Sequence, residues 1–130
     1  MKAIGFCLSF LLAFSAEAQN MDPTNFVSGT LASDLATTDA TALIAASGSG
    51  VRTYLTQLTV TNNDASVGTV VKVLDGSTVK LRAYAKEGGG GFSITFPTPI
   101  RGSANTAWNI QAETTSAQIQ ASAIGYKSSR

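Results

Sequence analysis

Apolar and polar positions alternate in short runs along this chain, and the runs end at Gly, Asn, Asp or Pro. The cleanest run is Phe92–Phe96, where Phe92, Ile94 and Phe96 interleave with Ser93 and Thr95. A period of two is the signature of a strand with one buried face. Pro97-Thr98-Pro99 is expected to end it, because proline cannot donate to a ladder.

The segment Thr69–Leu81 (T-V-V-K-V-L-D-G-S-T-V-K-L) reads as two β-branched runs folded back at Asp75-Gly76. Asp-Gly is a strong hairpin signal, since glycine accepts the positive φ that a tight turn needs. An odd loop, Asp75-Gly76-Ser77, places Val71, Val73, Val79 and Leu81 on the buried face and sends Lys72, Lys80 and Arg82 to water. A two-residue loop takes Lys72 inward, and burying an unpaired ammonium is costly. The odd loop is therefore expected.

Taken in order, Asn25–Leu31 is a first strand interrupted by Gly29, and Ala32–Asp39 is a loop. Thr41–Ala46 is a second strand with Leu43 or Ile44 inward. Val51–Asn62 is the longest candidate. Tyr54, Leu58 and Val60 share a face there, while Leu55 marks a bulge or a position covered by the N-terminal arm. After the hairpin, whose second strand extends from Thr78 through Ala85, the tract Lys86–Gly91 is a loose turn. Thr106–Ala112 puts Trp108 and Ile110 inward. Ala117–Ala123 puts Ile119, Ala121 and Ala123 opposite Gln118, Gln120 and Ser122, and Gly125 breaks that period. Eight strand candidates with no convincing helix, and turn signals about every eight to twelve residues, describe a sandwich or barrel. Eight strands in two sheets suit an antiparallel, jelly-roll-like β-sandwich.

Ahead of these runs, Met1-Lys2, the apolar stretch Ala3–Phe14 and Ser15-Ala16-Glu17-Ala18 have the form of a secretory signal peptide. The stretch is too short to span a bilayer as a mature helix. Cleavage after Ala18 gives a chain starting at Gln19; a true start at Met21 makes the upstream residues a mis-called extension. The chain thus divides into 1–18 (leader or extension), 19–40 (arm with the first strand) and 41–130 (the remainder of one β-sandwich domain).

Composition narrows the chemistry. Nine Lys and Arg against eight Asp and Glu give a net charge of +1, with no electrostatic footprint for nucleic acid. Charged residues are only 13%, so the surface is neutral and hydroxyl-rich. There is no His, and the single Cys, Cys7, lies in the leader. No imidazole serves a Ser or Thr nucleophile, no G-x-S-x-G is present, and zinc has no ligands of its usual kind. The four glycines Gly88–Gly91 lack the G-x-x-x-x-G-K-[ST] context of a phosphate loop. The carboxylates are scattered singly; Asp34 with Asp39, or Asp64 with Asp75, could meet in space as a glycosidase pair, but nothing in their spacing implies it. Arg52, Lys80, Arg82 and Arg101 are candidates for a basic patch, with a solvated face as the default. Tyr54, Tyr84, Trp108 and Tyr126 are candidates for sugar stacking, although Trp108 alternates with polar neighbours as a core residue does. No catalytic, cofactor or metal residue is assigned, and the chain is read as a non-enzyme.

Five segments then stand in order: Val51–Asn62 (V-R-T-Y-L-T-Q-L-T-V-T-N), Val73–Thr78 (V-L-D-G-S-T), Gly88–Phe96, Pro97–Asn109 (P-T-P-I-R-G-S-A-N-T-A-W-N) and Gly125-Tyr126. This order, over roughly Thr41–Lys127, resembles small β-sandwich structural proteins of tailed-bacteriophage virions. The resemblance implies a capsid decoration or cement protein, or a head–tail or tail component. It also implies self-association as a homo-oligomer, often a trimer, with capsid or tail proteins as partners and the virion as location. It transfers no functional residues. The leader and the aromatics support a different expectation, a secreted or periplasmic carbohydrate- or surface-binding module.

Overall fold

The computed structural model describes residues 25–129; the leader, Cys7 and the choice between Gln19 and Met21 lie outside the described residues. The eight strands are β1 (Phe26–Thr30), β2 (Thr41–Ile44), β3 (Arg52–Asn62), β4 (Thr69–Asp75), β5 (Thr78–Ala85), β6 (Gly91–Arg101), β7 (Trp108–Ala112) and β8 (Ile119–Ser128). They form two antiparallel sheets, β1-β8-β3-β6 (sheet A) and β2-β7-β4-β5 (sheet B). The pairings β1–β8, β2–β7, β3–β6 and β4–β5 are nested, as though one long hairpin with its tip at Gly76 had been rolled up. This is the jelly-roll order expected from the strand count.

The hairpin tip is tighter than expected. Asp75 pairs with Thr78, so the loop is Gly76-Ser77, with Gly76 at φ 62°. The ladder then slips: Leu74 faces Val79, but Val73 faces Leu81, leaving Lys80 as the extra residue. The bulge restores inward register for Val71, Val73 and Leu81 without burying Lys72, and it leaves Val79 44% exposed. Val79 is therefore not a core residue.

Bulges also settle the other ambiguous strands. In β2 the register shifts between Ala42 and Ile44, so both Leu43 and Ile44 are buried. In β3 it shifts between Leu55 and Gln57. Thr53 and Leu55 face inward before the shift, and Leu58, Val60 and Asn62 after it. Tyr54 is thereby on the outer face, opposite to the expected grouping with Leu58 and Val60. On β8, Gly125 continues the inward series Ala121, Ala123 rather than breaking it. A side chain there has no room, because a Cβ would lie 2.3 Å from the Tyr54 carbonyl oxygen.

Strand β6 runs on through Pro97-Thr98-Pro99 to Arg101. It can do so because it is an edge strand, where a missing N–H costs no ladder bond. The loop 31–40 returns to the sandwich at Leu35, which bridges to Ile119 and is buried. Between the sheets, Leu55, Leu58, Val60, Val71, Trp108 and Ile119 form the centre of one core.

Candidate functional site

The two outer faces of the sandwich differ in chemistry. Sheet B carries charge. Lys72 and Arg82 are paired across β4 and β5, and both bind Glu113, Lys72 at 3.0 Å. The hydrogen bond from Lys72, with help from Arg82, holds the Glu113 carboxyl below its ordinary range. Tyr84, 60% exposed, pairs with Val70 on the same sheet.

Sheet A is organised in cross-strand rows, because β1, β8, β3 and β6 lie side by side. One row is Phe26–Tyr126–Tyr54–Arg101. Its two tyrosine rings are stacked, with centroids 4.9 Å apart and planes within 2°. The next row is Ser28–Ile124–Gln57–Thr95. Ile124 is 43% exposed and Phe26 48%; among the described residues the other exposed large apolar side chains, Val79 and Tyr84, lie on sheet B. The third row is Thr30–Ser122–Thr59–Ser93. Its hydroxyls are bonded in pairs, Thr30 with Ser122 at 3.1 Å and Thr59 with Ser93 at 3.0 Å. None of these twelve positions is acidic, and Arg101 is the single cation among them.

The ends of this face have opposite character. Beyond the tyrosine row lies Arg52, whose guanidinium donates to the Gly102 carbonyl at 3.1 Å. A cleft of about 320 Å³ opens at the same end, lined by Asn25, Val51, Lys127, Ser128 and Ser129. At the other end Gln120 donates to Asp34 at 3.1 Å, and Asn63 donates to the same carboxylate.

The residues singled out from the sequence are dispersed. Trp108 is fully buried and donates to the Thr53 carbonyl, so it offers no sugar platform. Arg52 and Arg101 lie on sheet A, Lys80 and Arg82 on sheet B, so the four do not gather into one patch. Asp64 and Asp75 sit at opposite ends of β4. Asp64 accepts from the backbone N–H groups of Ser66 and Val67, which lower its pKa and fix the β3–β4 turn. Asp75, 5% exposed, accepts from the backbone and hydroxyl of Ser103. Among the described residues, no three of His, Cys, Asp and Glu converge in a metal-binding group.

Sequence reasoning missed the row Phe26–Tyr126–Tyr54. The period of β3 points Tyr54 inward until Thr56 is given to a bulge, and Gly125 resembles a break rather than a residue squeezed by Tyr54. The adjacency of β1, β8 and β3 is a long-range pairing with no local signal. No family model, curated protein or solved structure matches the chain.

Proposed function

We propose that this chain is a non-enzymatic structural subunit of a bacteriophage virion, a capsid-decoration or head–tail accessory protein. It acts by packing against neighbouring subunits, including copies of itself. The observation that carries this reading is the outer face of sheet A, where exposed Phe26 and Ile124 adjoin hydroxyls already bonded to one another. A face of this kind loses little hydrogen bonding when water leaves it, which favours burial against protein. The jelly-roll order supports the same reading, since that architecture recurs in capsid subunits, although it also recurs in lectins and cupins.

The test is quantitative proteomics on gradient-purified particles from the lysate in which the chain is made. The chain is expected at a fixed copy number relative to the major capsid protein. Particles of normal composition that lack it would reject the proposal.

A further inference from the structure

We infer that the outer face of sheet A is a two-fold interface with a second copy of this chain, centred on Ile124 and the Phe26–Tyr126–Tyr54 row. The inference deepens the structural-subunit reading by naming the surface used for self-association.

Four observations point to a second copy as the occupant. An isologous interface sets a patch against itself, so any excess of one charge repels. Sheet B is the more heavily charged face, with Lys72 and Arg82 bound to Glu113 and Lys80 beside Asp75, and a second copy would have to strip water from those ion pairs. The three rows of sheet A come closer to the condition, with a single charge in twelve positions. Second, the charges that flank these rows are complementary end to end. Arg52 and Arg101 lie at the tyrosine end and Asp34 at the Gln120 end. A two-fold axis running across the strands brings each basic end onto the acidic end of the other copy.

Third, the area suffices. Four strands at about 4.8 Å spacing and about nine residues of strand length give roughly 20 Å by 30 Å. That is about 600 Å² per copy and about 1,200 Å² in total, the lower end of stable interfaces. Fourth, the sheet can be covered at little cost. The Thr30–Ser122 and Thr59–Ser93 pairs satisfy their own hydroxyls, and Ile124 on the inner strand β8 lies between the tyrosine row and the hydroxyl row. Strand addition is impeded at two of the four sheet edges, where β6 carries Pro97 and Pro99 and β5 carries Lys80 and Arg82.

The test is analytical ultracentrifugation of the chain as its host processes it, with three single variants. Ile124→Glu and Phe26→Lys each place a charge on the proposed interface, and Val79→Glu places one on β5, away from it. Circular dichroism checks that each variant keeps its sheet. The expected result is a dimer for the parent chain and for Val79→Glu. For the two interface variants the dissociation constant should rise at least about a hundredfold, as for a charge buried without a partner. A parent chain that stays monomeric to about 200 μM overturns the inference. So does a trimer, or any assembly that folded Ile124→Glu and Phe26→Lys leave intact. A dimer lost in both variants, from a chain absent from particles, upholds the interface and removes only the virion reading.

Discussion

The indole Nε1 of Trp108 donates to the carbonyl oxygen of Thr53 at 3.1 Å, and that bond crosses from sheet B to sheet A. The same oxygen accepts the backbone N–H of Gly102 at 3.0 Å. Trp108 therefore fills the core and also ties the two layers at one point. Trp108→Phe removes the indole bond but leaves Thr53 its second donor. It is expected to cost about 1–2 kcal/mol, from one net hydrogen bond and modest underpacking. Trp108→Ala is expected to cost about 3–5 kcal/mol. Urea denaturation followed by circular dichroism measures both, because each variant removes the only tryptophan.

Asn62 provides a second internal tie. It is fully buried at the end of β3, and all of its amide capacity is used. Its Nδ2 donates to the carbonyls of Val67 and Ala85, and its Oδ1 accepts from the N–H groups of Asp64 and Gln118. One side chain thus joins the β3–β4 turn, the end of β5 and the start of β8. Asn62→Asp keeps the shape but turns two donated bonds into contacts between a carboxylate and carbonyl oxygens. At neutral pH the loss is expected to be about 3–5 kcal/mol. Asn62→Ala should cost less, about 2–3 kcal/mol, since it leaves polar groups unpaired without adding a charge. Thermal unfolding of the pair gives the order; equal losses would show that the buried carboxylate adds no cost beyond the lost amide bonds.

These two residues show what could be read in advance. Trp108 was legible because β7 alternates without a bulge, so the period of two carries straight to burial. The same holds for Ile119, Ala121 and Ala123 on β8. Asn62 was not legible, because an Asn beside Asn63 and Asp64 has the composition of a turn, and only the tertiary ring of backbone partners makes it a core residue. Tyr54 and Val79 were misplaced for another reason. A bulge inverts every side chain beyond it, and the residue that bulges is chosen by the neighbouring strand. The candidate face suffers most from this, since each of its rows depends on register across four strands.

Gly125 shows how closely that register is held. Its backbone needs no left-handed conformation, so the demand is one of space alone. In Gly125→Ala the new methyl would lie 2.3 Å from the Tyr54 oxygen, an atom of backbone that cannot swing aside. Strands β3 and β8 must separate locally, at a cost expected to be about 1–3 kcal/mol. Tyr54 and Tyr126 are paired across the same two strands, so their stacking should loosen as well. Near-ultraviolet circular dichroism reads the tyrosine pair directly. A variant with unchanged stability and an unchanged tyrosine signal would contradict the close packing seen here.

The ion triad on sheet B yields the pH prediction. Glu113 binds Lys72 and Arg82, and the Lys72 hydrogen bond is the largest of the influences that lower its pKa from 4.5. A carboxyl with a depressed folded pKa binds fewer protons folded than unfolded. Its contribution is therefore complete above the unfolded value and is lost as pH falls through the lower folded value. Glu113→Gln should be less stable than the parent at pH 7, with a gap that starts to close as pH drops below 4.5 and vanishes once the folded carboxyl is protonated. The triad is open to solvent, so added salt should also shrink the gap at pH 7. Urea midpoints of the two proteins, taken from pH 7 down to pH 3 at low and high salt, make the comparison. A gap that persists unchanged in acid would mean that Glu113 stabilises the sheet through its packing and not through its charge.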